Sequence, residues 1–431
     1  MFKHTQVLKQ VLKTDKIAKY VPPSQRAIIE HENLRKEKKK NDRLAKVLQY
    51  GIGGLVATSF LLYLWQPWNP YSEIVSKDLR KGLWEERDKK EENNDYLTAL
   101  KYYQKALQSG NEEGMDQLSM EYTGIVLKIA EMYQKLKMND KLIDTYYKLS
   151  EFIFLNILEN KRDIPQKELL IDRDLTVITR WAMLMEDEKS KEWYEKVQAE
   201  LQDRMAYMEN HEIPEKFPWL LSTDPKQTPD ILELLAIWEN PNLKDKWVDE
   251  KVPDQEGREF FKCWDILRSV RDKEWPLWFE SYLRLRDYYS TLQLKNKNYR
   301  QSIQILQSNI LWSVIGDFKE VIGSTQVINL AAAWFEYGQT INSKTAISQA
   351  ETIYVKLVEI LKKSGDSPNL AMAYYSLAVL YEQQKNDQQS DFYFEKAADV
   401  SLNLGISQIL EKIDEHKVAS HRADLLKKMQ S

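Results

Sequence analysis

At 431 residues, 43% hydrophobic and 30% charged, the chain has a globular rather than a disordered composition, with length enough for a large buried core. A single cysteine, Cys263, excludes an intramolecular disulfide and a cysteine-based zinc site. The net charge of −4 is unevenly spread: residues 1–46 hold 13 basic and 5 acidic side chains, about +8, leaving about −12 on the rest, which argues against nucleic acid as a partner.

The tail, 1–46, opens with an acid-poor amphipathic stretch. Over Met1–Tyr20, Phe2, Val7, Leu8, Val11 and Leu12 share one helical face, lysines fill the other, and Asp15 is the only acid. The pattern resembles a mitochondrial targeting sequence, although it lacks arginine and is poor in serine. A solvated basic tail is the plainer alternative.

From Val47 to Ser72 there is no charge, and Val47–Trp65 is mostly apolar. Nineteen residues at about 1.5 Å each span roughly 28 Å, close to the hydrocarbon thickness of a bilayer. Tyr63, Trp65, Trp68 and Tyr71 crowd one end, where aromatic rings favour the water–lipid boundary, and Pro67 and Pro70 stop the helix there. With lysines at the other end, 47–65 is expected to be a single transmembrane helix. The positive flank places 1–46 on the negative side and 72–431 across the membrane. Gly53 with Ala57, and Gly54 with Thr58, are spaced four apart and offer a packing face for another membrane helix.

Beyond the span, 13 Gly and 13 Pro beside 23 Tyr and 13 Trp favour long helices. Small and aromatic residues recur as in tetratricopeptide repeats, where small side chains mark close helix crossings. In an N-terminal block, 72–206, Tyr96, Ala99, Tyr103 and Ala106 fit a second helix, behind a poorly matching first helix near Leu79–Arg87. Ala130 and Tyr133 then precede Leu142, Tyr146 and Leu149. Residues 207–256 break the pattern with Pro214, Pro218, Pro225, Pro229, Pro241 and Pro253, which predict an irregular insertion with short helices such as Ile231–Trp238. Such a stretch is either a packing excursion between blocks or a binding loop carrying Trp219, Trp238 and Trp247. In the C-terminal block, 257–431, a weak copy uses Tyr289, Ser290, Tyr299, Ser302 and Leu306. Trp334, Tyr337 and Gly338 then precede Ala350, Tyr354 and Leu357. The clearest copy has Tyr374, Leu377, Ala378 and Tyr381, then Ser390, Phe394 and Ala397. Twelve residues separate 130 from 142, 338 from 350, and 378 from 390. The expected fold is all-α: one transmembrane helix, then a TPR-like α-solenoid interrupted by a proline-rich insertion.

No chemistry is legible. His4, His31, His211, His416 and His421 show no ligand spacing, and Cys263 beside Trp264 reads as core. Gly51-Ile52-Gly53-Gly54 lies within the span and lacks the Lys-Ser/Thr of a phosphate loop. Neither catalysis nor a cofactor nor a metal is expected. Stacked repeats instead offer an extended surface for protein partners, and exposed aromatic residues on it would suit unfolded polypeptide.

Two segments go beyond the generic pattern: Leu79-Arg80-Lys81-Gly82-Leu83, and Glu121-Tyr122-Thr123-Gly124-Ile125 leading into Lys128-Ile129-Ala130-Glu131-Met132-Tyr133-Gln134-Lys135-Leu136. With the basic tail, single span and repeats, they resemble the fungal tetratricopeptide adaptor subunits of the mitochondrial i-AAA protease and their close paralogue, best over about 79–149. The resemblance implies an inner-membrane protein with its amino terminus in the matrix and its repeats in the intermembrane space. It also implies partners: a hexameric i-AAA metalloprotease, a second membrane adaptor subunit, and unfolded substrates. The alternatives are an anchored receptor for protein import or chaperone docking, and an inner-membrane assembly factor. A chaperone-docking receptor would need a row of Lys and Arg on the inner faces of the repeats.

Overall fold

The computed structural model describes residues 70–87, 95–159, 164, 166–185, 191–216, 231–239, 274–316, 318, 323–364 and 367–416. The tail 1–46, the expected span 47–65 with Gly53, Gly54, Ala57 and Thr58, and most of 207–256 lie outside them. Among the described residues no helix is long and apolar enough to cross a membrane. The chain divides into two units, Met1–Ser72 and Glu73–Ser431, and the described helices all belong to the second.

Every regular element described in that unit is helical. In chain order they are α1 (Glu73–Glu86), α2 (Tyr96–Glu112), α3 (Met120–Lys135), α4 (Asn139–Glu159), α5 (Lys167–Met185) and α6 (Lys191–Tyr207). A π turn, Met208–Glu212, and the short α7 (Ile213–Lys216) lead on from α6, and α8 is Ile231–Glu239. Then come α9 (Phe279–Lys295), α10 (Tyr299–Gly316), α11 (Ser324–Thr340), α12 (Lys344–Ser364), α13 (Ser367–Gln383) and α14 (Asp387–Leu404), with α15 over 407–416. Neighbours in sequence pack as antiparallel hairpins, and the first helices of successive hairpins touch along α9, α11 and α13. That is the arrangement of a TPR-type α-solenoid.

Four hairpins turn in the same way. After α3, α9, α11 and α13 one residue enters the left-handed region: Lys137, Lys297, Asn342 and Lys385, with φ of 56, 64, 51 and 61°. The next N–H reaches back to the helix: Met138 to Tyr133 O, Asn298 to Gln293 O, Ser343 to Gly338 O, and Asn386 to Tyr381 O, at 2.8 to 2.9 Å. This closes the orphan carbonyls of one helix and starts the next within a few residues.

The twelve-residue interval has a physical counterpart. Ser302 Oγ donates to Ser290 O at 3.0 Å, and Ser390 Oγ donates to Ala378 O at 3.0 Å, one bond repeated in two hairpins. Only a small residue on the first helix lets the second come that close. In α11–α12 the turn falls sooner. Asn342 follows Gly338 by four residues, whereas Lys137 and Lys385 follow Ala130 and Ala378 by seven. Gly338 therefore meets the start of α12, where its Cβ would sit 2.7 Å from Ile347 Cγ1, 3.0 Å from Ile347 N and 3.1 Å from Ala346 Cβ.

The insertion interrupts the sequence but not the stack. α5 and α6 pack directly on α9, and α8 lies across the second helices α10 and α12. One cluster of buried apolar side chains runs from Leu118 to Ile413 and includes both blocks. The first hairpin buries Val75, Ala99, Leu100, Tyr103 and Ala106 outside that cluster.

Gly338→Ala is expected to destabilise the chain by about 1–3 kcal/mol, because backbone of α12 must move. Gly110→Ala, whose Cβ would lie 3.5 Å from Met115 Cε, is expected to be neutral or mildly stabilising. Urea denaturation of the two variants side by side checks the contrast.

Candidate interaction surface

One acid ties the first hairpin to the next. Glu86, at the end of α1, accepts from the Tyr103 hydroxyl at 2.6 Å and lies 3.3 Å from Lys128 Nζ and 2.9 Å from Lys135 Nζ. The two lysines are seven residues apart on α3 and share a face, with Glu131 between them at 2.7 and 3.1 Å. Burial raises the Glu86 carboxyl, but Tyr103, Lys135 and Lys128 together hold it down to about 2. Gly82, one turn earlier, brings α1 against Tyr103, where a Cβ would lie 2.6 Å from Cε1. Gly82 stands in one of the segments that carry the family resemblance; Lys128, Glu131 and Lys135 stand in the other. The resemblance thus falls on a physical joint.

A second set of polar contacts joins the blocks. Ser281 of α9 donates to Asp172 of α5 at 2.5 Å and shares a 3.0 Å hydrogen bond with Thr176. Tyr288 donates to Ala182 O at 3.0 Å, and Tyr194 donates to Leu292 O at 3.2 Å. Arg286 reaches Glu209 in the π turn at 3.0 Å and Asn309 at 2.9 Å, with its guanidinium 4.2 Å from the Trp312 ring centroid. In the N-terminal block the buried Arg204 sits 3.5 Å from the buried Asp174 and 2.5 Å from Glu200, and Ser150 bridges Arg204 to Asp174. Burial pushes the Asp174 carboxyl up to about 6 against the pull of Arg204 and Ser150.

The surface open to a partner is the edge of the first helices. Arg180 and Met183 on α5, Arg284 on α9, and Thr325, Glu336 and Gln339 on α11 are exposed there. Arg284 is held by Glu280 at 2.6 Å. Along α5, α9 and α11 the face is mixed in polarity and, among the described residues, carries no basic row; the exposed cations Lys77, Arg80 and Lys81 are confined to α1. On α9, Asp287 is largely buried beside Gln326 of α11. Burial pushes its carboxyl up to about 6 while Gln326 pulls it down, and both Asp287 Oδ1 and Gln326 Oε1 lack a donor.

The scaffold residues singled out from sequence all lie on the helices. Ala99, Tyr103, Ala130, Gly338, Ala350, Tyr354, Tyr374, Ala378, Tyr381 and Phe394 are buried; Tyr133 and Trp334 are half-buried. Trp219 and Trp247 lie outside the described residues. α8, which contains Trp238, is fastened by Glu239 to Lys356 at 2.9 Å and to Lys363. Cys263, His4, His31 and His421 also lie outside; His211 stacks 5.0 Å from the Tyr207 ring, and His416 meets Glu382 beside Phe394. Among the described residues no three His, Cys, Asp or Glu are grouped to hold a metal. A cavity of about 200 Å³ beside the start of α3, lined by Asp116, Leu118, Met120 and Ile164, is smaller than ordinary cofactor pockets.

The periodicity did not expose the α5–α6 hairpin, the Glu86 joint, or the buried Arg204 and Arg286. A usable signal existed for Arg286 and for the partner of Arg204: Asp174 sits among Leu170, Ile171, Leu175 and Ile178, and Arg286 among Leu283, Leu285 and Leu292, each a charge within an apolar stripe.

The fold and its joints define a stack of TPR-type hairpins. No protein-family model matches the chain. The mitochondrial inner membrane i-AAA protease supercomplex subunit MGR3 of Saccharomyces cerevisiae is 25% identical over 361 residues, covering 81% of this chain and 66% of that protein. Protein MRG3-like of the same yeast is 36% identical over 155 residues, 35% of this chain and 33% of that protein. The chain thus spans a third of one relative and just under two thirds of the other. It is a relative of both, as the resemblance of its residues implied. Among solved structures, a human IFIT1 dimer with m7Gppp-AAAA aligns at 14% identity over 80% of this chain and 74% of that chain, with a TM-score of 0.23.

Two titrations of opposite sign arise from these sites. The folded pKa of Glu86, about 2, lies below the ordinary 4.5, so its stabilisation is complete above 4.5 and is lost as pH falls toward 2. Glu86→Gln is expected to cost about 1–2 kcal/mol at pH 7, so that amides of α1 and α2 exchange about tenfold faster. Asp287 is raised from 3.8 to about 6, so its ionisation removes stability as pH rises through that window. Asp287→Asn, which supplies a donor beside Gln326, is expected to raise stability by about 1–2 kcal/mol at pH 7 and flatten thermal melts between pH 4 and 6.

Proposed function

We propose that this chain is a membrane-anchored adaptor that binds unfolded or misfolded proteins and delivers them to the mitochondrial i-AAA protease. The reading is carried by the similarity, over 81% of the chain, to a subunit of the i-AAA protease supercomplex. Residues 47–65 serve as the anchor, 1–46 face the matrix, and the hairpins stand in the intermembrane space. A second membrane adaptor subunit completes the attachment, and Gly53, Gly54, Ala57 and Thr58 offer it a packing face. The ATPase and the zinc chemistry belong to the hexameric protease; this chain binds and positions.

The first-helix face suits that task. Unfolded polypeptide presents apolar side chains and unpaired backbone groups in no fixed order. Met183, Thr325, Gln339 and single charges of both signs can meet such a chain without demanding a sequence. A receptor for a partner's terminal carboxylate needs several cations converging on one point. The exposed cations named on this face are Arg180 and Arg284, the second already paired with Glu280. Along α5, α9 and α11 that composition favours the adaptor over the docking receptor, and the cations of α1 belong to a single helix rather than to a row across repeats.

Affinity purification from gently solubilised mitochondria, followed by mass spectrometry, is expected to recover the hexameric protease. Deletion of the gene is expected to slow turnover of an unfolded inner-membrane substrate. Absence of the protease together with unchanged turnover would defeat the reading. Protection of the carboxy-terminal unit from added protease, with outer membranes intact, separates the adaptor from a cytosol-facing receptor.

A further inference from the structure

α1 exposes a face of unusual chemistry. At about 100° per residue, Lys77, Arg80, Lys81 and Trp84 fall within roughly 100° of arc. All four are exposed, and Trp84, 62% exposed, stands near the middle of the group. Ile74, 58% exposed, flanks the arc on one side and Arg87 on the other; Glu73 is the acid among them. The opposite side is buried: Val75, Asp78 and Gly82 pack on α2, and Asp78 is joined to Lys105 at 3.3 Å. Lys81 lies 5.4 Å from the Tyr102 ring centroid and Leu97 of α2 is 47% exposed, which extends the basic, aromatic and apolar surface onto the second helix.

A tryptophan set among cations is ordinary at a bilayer surface. Tryptophan favours the headgroup level, and lysine and arginine beside it neutralise anionic lipid. Chain connectivity puts that surface within reach. Eight Cα steps separate Trp65, where the expected span ends, from Glu73, at most about 29 Å of extended chain. Charge also chooses the occupant. Residues 47–431 carry about −12 in all, so an anionic membrane repels most of the unit, while the arc on α1 is net positive.

We propose that the Lys77–Arg80–Lys81–Trp84 face of α1 docks on the anionic lipid surface beside the membrane span and sets the orientation of the hairpin stack above it. The proposal rests on the reading of 47–65 as that span.

The test uses the full chain in lipid nanodiscs, with Cys263→Ser and Trp84→Cys carrying a nitroxide. The contrast is between phosphatidylglycerol-rich discs and pure phosphatidylcholine. In the anionic discs the label is expected to be relaxed more by oxygen than by a water-soluble nickel chelate; in the neutral discs the balance is expected to revert toward water. A label at Leu402→Cys, on α14 and 66% exposed, is expected to remain aqueous in both. Adding Lys77→Gln, Arg80→Gln and Lys81→Gln is expected to lower the docking equilibrium constant roughly a hundredfold, at about fivefold per charge. An aqueous label at position 84 in anionic discs overturns the proposal and leaves the face to a protein partner. Loss of the chain from the discs in alkaline carbonate overturns the span instead, so the two failures are told apart.

Discussion

A helical hairpin has two apolar faces and can bury only one of them against itself. Every hairpin between Glu73 and His416 therefore depends on its neighbours, and the close helix crossing is what makes that neighbourhood possible. Where Ser390 Oγ reaches Ala378 O, and Ser302 Oγ reaches Ser290 O, a side chain larger than serine or alanine would prise the pair apart. The left-handed turn residues work toward the same end. Lysine in that conformation costs about 1–2 kcal/mol, yet it appears three times, because the two back-bonds beyond it close one helix and launch the next at a fixed angle. Hairpin geometry is thus set locally, and the stack inherits it.

Local geometry does not fix how one block meets the next, and here buried polarity enters. α5 and α9 belong to different blocks, more than ninety residues apart by their first positions, yet they lie side by side. Apolar surfaces alone would tolerate sliding by a turn. Ser281 on Asp172, Tyr288 on Ala182 O and Arg286 on Glu209 each demand one register, since a slip would leave a buried donor or acceptor without its partner. Arg204 and Asp174 act in the same way within the N-terminal block. Such pairs add little net stability, because desolvation offsets attraction, but removing one member leaves a buried charge. Their effect is to exclude alternatives.

These two layers explain what the residues disclosed in advance. Short-range features were legible: Ala378 to Ser390 is a spacing, and Ile231–Trp238 reads as a short helix, as α8 is. The register within α11–α12 was not, because Gly338 and Ala350 keep the interval of twelve while the turn at Asn342 arrives earlier, and only backbone geometry shows it. The α5–α6 hairpin was also hidden. Twelve residues past the buried Ala182 stands Tyr194 rather than a small residue, and the hairpin buries Trp181, Trp193, Val197 and Leu201, so the interval does not mark it. Glu86 was out of reach for another reason, since its partners lie 17, 42 and 49 residues away. The insertion's part in the stack was likewise invisible: that α8 would rest on α10 and α12 depends on surfaces assembled only after both blocks fold.

The first hairpin stands apart from the continuous core, and that bears on how a substrate-handling stack would work. Its attachment combines the packing of α2 on α3, where Ile125, Ile129 and Met132 are buried, with one carboxylate held by the lysines of α3. Amide exchange is therefore expected to be faster in that hairpin than at the α5–α9 joint, which lies within the continuous core. An adaptor benefits from that difference. Its interior must keep the first-helix edges aligned, because a mixed surface grips an unfolded chain only by many weak contacts held in order. The Glu86 contacts lie outside that core, so they can open and re-form without exposing it.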